Sequence, residues 1–265
     1  MRCDQLKEAA RSRELPAAVL VFEPHPREFF TPLQAPVRLT NMREKLELFA
    51  ELGLDRVHVC HFDTGFAQTS AAEFINALHE QLAVKFALIG DDFRFGSGRS
   101  GDFALMEKIG AQRGFAVQAM HTVLHDGIRI SSTAVRTALA EGDLRMAQRY
   151  LGRPYSISGR VEHGDGMGHK LGFPTANIQL RVQGDDLPPM DGVASLGIRP
   201  TMHHDGKAVL EVHLFDFARQ IYNKHMRVDF LHKLRDEEKY SDVETLKRQI
   251  ALDVSNAKQW FVQNG

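Results

Sequence analysis

The chain has 265 residues, of which 43% are hydrophobic and 25% are charged, a composition typical of globular proteins. Its formal net charge of -1 provides no basic field that would attract a phosphate backbone, so no nucleic-acid partner is expected. The two cysteines, Cys3 and Cys60, give neither a disulfide framework nor a zinc-site spacing, and no segment is apolar enough for a membrane helix. These features predict a cytoplasmic protein without a membrane partner.

The first part of the chain alternates strand-like and helical patterns. Short apolar strands are predicted at 17–22, 56–61, 86–90 and 116–122. Amphipathic helices are predicted at 3–13, 42–52, 70–81 and 103–113. Helices that separate short apolar strands are typical of a parallel sheet covered on both faces. The pattern therefore predicts an α/β domain over residues 1–150.

The pattern changes after a cluster of helix breakers at 151–154. Short strand-like segments follow, separated by Gly, Pro and Asp, at 155–161, 208–217 and 225–230. A final helix is predicted over 243–261, where apolar residues recur at helical spacing. A second domain over residues 151–265 is therefore predicted, formed by a small antiparallel β-barrel and a C-terminal helix.

The strongest local pattern is a glycine-rich segment that runs into Pro174-Thr175-Ala176-Asn177. Glycines free the backbone to present amide groups around a phosphate, and a histidine and a lysine follow them. The residues predicted to bind phosphate are Gly164, Gly166, Gly168, His169 and Lys170. Thr175 and Asn177 are two oxygen donors at a spacing that points both the same way in an extended segment, which suits Mg²⁺ beside ATP phosphates. A plain glycine-rich hairpin is the alternative.

This segment resembles the flavokinase signature, and the similarity continues in family order through 192–201, 211–217, Tyr222 and 233–235. The resemblance implies phosphorylation of riboflavin by ATP, with Thr175 and Asn177 contacting magnesium–ATP. It also implies that Glu211, at the opening of a strand over 211–217, is the general base that accepts the hydroxyl proton. Arg235 is expected near the flavin or the nucleotide, although a solvated run of charges explains it equally well.

A second group of motifs lies in the first part of the chain. Ser131-Ser132-Thr133 precedes a helical pattern that contains Arg136, which suits phosphate binding, although a helix N-cap explains the serines equally well. The segments 22–26 and 90–96 follow predicted strands, where ligands bind in open α/β sheets.

Together these motifs resemble the FMN adenylyltransferase module of bacterial bifunctional riboflavin kinase/FAD synthetases, a Rossmann-like nucleotidylyltransferase fold. The resemblance implies attack of the FMN phosphate on the α-phosphorus of ATP, which gives FAD and pyrophosphate. The residues it implies for binding nucleotide or flavin are His25, Asp92, Phe93, Arg129, Ser132, Thr133 and Arg136.

The sequence departs from this family at two places. The segment Gly-x-Phe-Asp-Gly-x-His-x-Gly-His, which handles ATP phosphates, is absent from it, and a longer loop with another strand is expected between Leu180 and Arg181. We hypothesise that the natural protein is longer at both places, so that its measured mass exceeds 29.8 kDa. Without these segments, adenylyl transfer should be severely impaired.

Three alternatives stay open from the sequence. One is a riboflavin kinase whose first domain only binds nucleotide or flavin, and another is a flavin or nucleotide sensor without catalysis. The third is a metal-binding protein, since the chain has 13 histidines. However, His121 ends a predicted strand, so the helical pairing of a zinc site with His125 is not expected, and dispersed histidines explain the count better.

Overall fold

The computed structural model describes residues 2–120, 124–125, 127–162, 176–179, 189–199, 207–217 and 219–264. The chain divides into two compact units, Met1–Ile130 and Ser131–Gly265. The division falls before the boundary predicted at residue 150, because the helix at Leu144–Leu151 contacts the strand at Tyr155–Glu162 in the second unit. The boundary between the functional domains stays a prediction.

The first unit combines helices with paired strands. Its helices are α1 (Arg2–Arg11), α2 (Pro26–Phe30), α3 (Met42–Glu51), α4 (Thr64–Gln68), α5 (Ala71–Glu80) and α6 (Phe103–Arg113), with 3-10 turns at Pro32–Gln34 and Ser97–Arg99. Its strands are β1 (Ala18–Glu23), β2 (Arg56–His61), β3 (Phe86–Ile89), β4 (Ala116–Ala119), β5 (Leu124–His125) and β6 (Ile128–Arg129). The pairs β1–β2 and β3–β4 are parallel, and β5–β6 is antiparallel.

Local sequence signals explain where the longer helices begin. Asn41 and Ser70 cap α3 and α5, and each forms a capping box with a glutamate three residues later. Asp102 caps α6 through its side chain, and Gly114 ends that helix in the left-handed conformation that glycine adopts without strain. These helices therefore begin and end within one or two residues of the predicted bounds.

The core of the first unit is a cluster of aliphatic and aromatic side chains. Ile75 and Met106 are almost fully buried there, and α5 turns one apolar face toward the cluster. The loop after β3 packs closely on the start of α5: a Cβ atom on Gly96 would lie 2.5 Å from the backbone nitrogen of Ala71. Gly96 also has a φ of 72°, so only glycine suits this position.

The second unit contains helices and an antiparallel sheet. Its helices are α7 (Ser132–Ala140), α8 (Leu144–Leu151) and α9 (Val243–Asn264). Its strands are β7 (Tyr155–Glu162), β8 (Ala176–Gln179), β9 (Gly192–Arg199), β10 (Lys207–Leu214) and β11 (His225–Phe230). The strand order is β11-β7-β8-β10-β9, and every neighbouring pair is antiparallel. Val161, Leu210 and Val212 form the centre of a separate core on this sheet.

Two predicted strand bounds need correction. Glu211 does not open its strand, because the ladder between β10 and β9 begins at the pair Lys207↔Arg199, four residues earlier in β10. The same strand ends at Leu214 and does not reach Phe217, because Asp216 turns the chain with a φ of 52°. The C-terminal helix is confirmed and is longer than predicted. Among the described residues, no helix has the length and apolarity needed to cross a membrane.

Candidate functional site

The loop after β1 presents His25 in a defined orientation. The backbone nitrogen of His25 donates to Oε2 of Glu28 at 3.2 Å, and Nδ1 of His25 accepts from the backbone nitrogen of Arg27 at 3.2 Å. Partial burial of the imidazole lowers the pKa of His25, so the ring is neutral at neutral pH. Because Nδ1 is an acceptor, the single ring proton lies on Nε2, which is available to donate to a ligand.

A cavity of about 330 Å³ opens beside this loop. Phe30, at the end of the same short helix that His25 caps, lines one side of it. The other lining residues are Phe62, Phe66, Ala67, Thr69, Phe74, Gly96, Gly98 and Arg99. Residues from the loops after β1 and β3 thus border one cavity. Aromatic walls with one cation among the lining residues suit a flat ring system that carries an anionic group.

The rings that line the cavity form a continuous aromatic group. The ring centroids of Phe30 and Phe62 lie 5.7 Å apart, those of Phe62 and Phe66 lie 5.5 Å apart, and those of Phe66 and Phe74 lie 6.2 Å apart. None of these four phenylalanines was among the predicted site residues. The adjacent pair Phe29-Phe30, separated from Pro24-His25-Pro26 by two residues, is the signal that could have indicated one of them.

The structure brings two predicted residues of the first unit into contact. Nη2 of Arg129, in β6, donates to Oδ2 of Asp92, in the loop after β3, at 3.0 Å. Both side chains are exposed, so this ion pair holds the two segments together without contributing much to stability. Phe93 instead packs on the core, and its ring stacks on that of Phe95 at 5.5 Å. Asp92 and Arg129 are therefore the more accessible of these three residues.

The start of α7 holds the remaining predicted residues of this group. Ser131 caps the helix, because its hydroxyl accepts from the backbone nitrogen of Ala134 at 3.2 Å. Ser132 and Thr133 occupy the first turn and are exposed, while Arg136 is half-buried one turn later. The capping role thus belongs to Ser131, which leaves the side chains of Ser132 and Thr133 exposed at the helix start.

In the second unit, the strand register aligns polar residues across the sheet. Asn177 in β8 lies opposite Glu211 in β10 on one side and opposite Glu162 in β7 on the other. Glu211 in turn lies opposite Ser195 in β9. Directly opposed residues of antiparallel strands have Cα atoms about 4.5–5.5 Å apart, which is close enough to share one small ligand. Two predicted site residues, Asn177 and Glu211, are therefore immediate cross-strand neighbours.

Other predicted residues of this unit lie outside the described ranges. They are Gly164, Gly166, Gly168, His169, Lys170 and Thr175, in the segment that connects β7 to β8 in the sequence. Within the described ranges, no group of three or more His, Cys, Asp or Glu side chains is arranged to hold a metal ion. Oxygen donors such as those of threonine and asparagine are a different ligand set, the one that suits magnesium.

Arg235 makes a bidentate ion pair with the C-terminal helix. Its Nε and Nη2 donate to the carboxylate of Asp253 in α9 at 3.0 and 2.8 Å, and its Nη1 donates to the backbone oxygen of Asp236 at 2.8 Å. Hydrogen bonding to Asp253 raises the pKa of Arg235. The guanidinium therefore holds the segment before α9 against that helix, and its predicted contact with the flavin stays a prediction.

Comparison with protein families defines the class of this chain. The model of the FAD synthetase family matches residues 3–134, and the model of the riboflavin kinase family matches residues 151–261. The chain is thus a two-domain protein with an FAD synthetase domain followed by a riboflavin kinase domain.

Known relatives give the family of the whole chain. It is 45% identical over 270 residues to the bifunctional riboflavin kinase/FMN adenylyltransferase of Escherichia coli K12, covering 97% of this chain and 86% of that protein. It is 44% identical to the protein of the same description from Pseudomonas fluorescens, and the match covers 96% of this chain and 86% of that protein. The chain belongs to the family of bifunctional riboflavin kinase/FMN adenylyltransferases.

A crystal structure described as a macrolide-efflux protein from Streptococcus pneumoniae has a similar fold. The TM-score between the two structures is 0.75, and the sequences are 26% identical. The match covers 95% of this chain and 86% of that one.

Proposed function

We propose that this protein makes FMN and then FAD. Its second domain phosphorylates riboflavin with ATP, and its first domain joins the resulting FMN to the adenylyl group of a second ATP. Membership of the bifunctional family over 97% of the chain supports both reactions. The observation that carries the kinase assignment is the register that pairs Asn177 with Glu211 across β8 and β10.

We further propose the finer fold of each domain. The parallel pairs β1–β2 and β3–β4, with helices between their strands, support a Rossmann-like nucleotidylyltransferase domain. The five antiparallel strands of the second unit support the small flavokinase barrel.

In the kinase reaction, the terminal ribityl hydroxyl of riboflavin attacks the γ-phosphorus of ATP. A new O–P bond forms as the bond from the γ-phosphorus to the bridging oxygen breaks, and ADP leaves. The carboxylate of Glu211 accepts the hydroxyl proton. Thr175 and Asn177 would hold Mg²⁺, which would supply positive charge to neutralise the phosphates. Asn177 fits this role because asparagine carries an amide oxygen and its position in β8 pairs with that of Glu211 in β10.

In the adenylyl transfer, a phosphate oxygen of FMN attacks the α-phosphorus of ATP. The bond to the β,γ-diphosphate breaks, and pyrophosphate leaves. The aromatic cavity beside α2 receives the flavin ring, since phenylalanines and Arg99 line it. His25 donates from Nε2 to a phosphate oxygen, and Asp92, Phe93, Arg129, Ser132, Thr133 and Arg136 complete the binding of nucleotide and flavin.

The decisive test compares Glu211→Gln with the matched variant Glu162→Gln. Both carboxylates lie opposite Asn177, one in each neighbouring strand. Riboflavin, FMN and FAD are separated by HPLC after incubation with magnesium and ATP. Glu211→Gln is expected to lower FMN formation by about 10²–10⁴-fold, the usual contribution of a general base. FAD formation from added FMN should stay unchanged, and Glu162→Gln should keep most of the kinase rate.

The other outcomes are equally informative. An unchanged kinase rate in Glu211→Gln would refute its role as the base. A loss of the kinase rate in Glu162→Gln alone would assign the role of the base to Glu162 in β7. Ligand binding without turnover in the unaltered protein would show a sensor, and FMN formation without FAD formation would show a kinase alone.

A further inference from the structure

Arg38 is absent from the predicted binding residues, yet it bridges two carboxylates beside His25. Its Nη1 and Nη2 donate to the carboxylate of Glu23 at 3.1 and 2.7 Å, and its Nε donates to Oε1 of Glu28 at 2.6 Å. Its Nη2 also donates to Oε2 of Glu28. Because a planar guanidinium matches paired carboxylate oxygens, this one side chain ties the end of β1 to α2.

Glu28 extends this constraint to His25. The same carboxylate that Arg38 binds accepts from the backbone nitrogen of His25, and the imidazole Nδ1 accepts from the backbone of Arg27. Hydrogen bonding from Arg38 lowers the pKa of Glu28, so this carboxylate stays ionised and remains an acceptor at neutral pH. The reciprocal bonds fix the loop, and because Nδ1 is engaged in the cap, Nε2 is the ring nitrogen that carries the proton.

We infer that Arg38 is a positioning residue for adenylyl transfer: through Glu23 and Glu28 it aims the Nε2 proton of His25 at a phosphate oxygen of the bound substrate. The inference rests on the proposed adenylyl transfer in the first domain. The phosphate belongs either to ATP or to FMN, and both offer the same acceptor oxygens. A substrate held in the wrong place by a small distance reacts much more slowly, and its phosphate also loses the contact with His25, so Arg38 acts on kcat and on the KM of that substrate.

Stability does not explain this arrangement. The side chain of Arg38 is 39% exposed, and ion pairs at such positions contribute little to the free energy of unfolding. The charged groups that influence the pKa of His25 are Glu28, Arg27, Lys45 and Arg38. Of these, Arg38 forms ion pairs with both Glu23 and Glu28.

Arg43 provides a matched control within the same unit. Its side chain is 37% exposed, and its Nε donates to Oε1 of Glu47 at 2.6 Å, one turn along α3. Arg38→Met is expected to lower kcat/KM for FAD formation by about tenfold to a hundredfold, while Arg43→Met leaves it unchanged. Arg38→Lys should fall between the unaltered protein and Arg38→Met, because lysine keeps the charge and loses the planar fork. All three variants should keep the kinase rate, and the urea unfolding of their first unit should keep the midpoint of the unaltered protein, which shows that this unit folds.

Two further readouts make the test specific. The substrate whose KM rises in Arg38→Met, ATP or FMN, identifies the phosphate that His25 binds. Nitrogen-15 NMR of His25 should show a single Nε2-protonated tautomer in the unaltered protein and in Arg43→Met, and a mixture of tautomers in Arg38→Met. The inference is overturned if His25 keeps the single tautomer in Arg38→Met and if kcat/KM for FAD formation is the same in Arg38→Met as in Arg43→Met. If the unaltered protein forms no FAD, the proposed transfer fails, and the tautomer still decides whether Arg38 orients His25.

Discussion

The two ring nitrogens of His25 have different tasks in this structure. Nδ1 accepts a hydrogen bond from the backbone of Arg27 and thereby caps α2, while Nε2 carries the ring proton and takes no part in this cap. Asparagine and glutamine separate these tasks, because the side-chain oxygen of asparagine lies near the position of Nδ1 and the end of a glutamine side chain lies near the position of Nε2. Two substitutions at this position can thus test the capping role and the ligand-binding role of His25 separately.

We expect His25→Asn to keep the cap and lose the ligand contact, and His25→Gln to do the reverse. His25→Asn should leave the free energy of unfolding nearly unchanged, whereas His25→Gln should lower it by about 1 kcal/mol through loss of the N-cap. FAD formation should fall more in His25→Asn than in His25→Gln. Urea denaturation and assays of FAD formation check this pair, and equal losses of FAD formation in both variants would contradict a separate role for Nε2.

The sequence predicted His25 as a site residue but left its surroundings unknown. A histidine between two prolines, directly after an apolar strand, was enough to indicate a stiff loop at a ligand site. Arg38 gave no such signal, because its partners Glu23 and Glu28 lie 15 and 10 residues away and no local spacing connects them. Asn177 and Glu211 were predicted together only through the family resemblance, since strand register depends on contacts distant in sequence.

The C-terminal helix is held by the ion pair between Arg235 and Asp253 and by its apolar face. Arg235 binds both carboxylate oxygens of Asp253, which also accepts from Nε2 of Gln249 at 2.9 Å. The side chains of Arg235 and Asp253 are 30% and 15% exposed, so this pair is more shielded than the surface pair Arg43–Glu47 of α3. Phe261 in α9 contacts the ring of Phe215 edge-on. The ion pair therefore orients a helix whose apolar residues already pack on the sheet.

Arg235→Met and Asp253→Asn distinguish this structural role from flavin binding. If the ion pair is the main role of Arg235, each variant should lower the free energy of unfolding by about 1–3 kcal/mol. The double variant should then lose less than the sum of the two single losses. The KM for riboflavin should then change equally in both variants. A KM for riboflavin that rises in Arg235→Met alone would instead show that the guanidinium also contacts the flavin. Urea denaturation and steady-state kinase assays provide both measurements.

Helices and strands with a regular apolar pattern were predicted well, whereas the one-turn helices and the strand β9 were not. The strand over 56–61, the helix over 103–113 and the strand over 225–230 have the predicted bounds. The five-residue helices α2 and α4 were missed because one turn shows no periodicity. The strand β9 was missed because it contains Gly192, where a Cβ atom would lie 2.6 Å from the backbone oxygen of His213.

At the scale of the whole molecule, the two units have separate hydrophobic cores. The first is built on α5 and α6, and the second on β7, β10 and β11. The sequence predicted two domains because the pattern changes near residue 150. It did not reveal that α7 and α8 join the second compact unit, because an amphipathic pattern identifies the buried face of a helix and not the partner that covers it.

Separate cores predict that each reaction has its own sensitivity to core mutations. Ile75 is 0% exposed in the first core, and Leu210 is 2% exposed in the second. Replacing either residue with alanine should cost about 2–5 kcal/mol, because it removes buried methyl groups and leaves a cavity. Ile75→Ala should lower the urea concentration at which FAD formation from FMN is half inactivated. Leu210→Ala should lower the urea concentration at which FMN formation from riboflavin is half inactivated. If each variant shifts both inactivation midpoints equally, the two cores unfold as one cooperative unit, and the two reactions are not separable by stability.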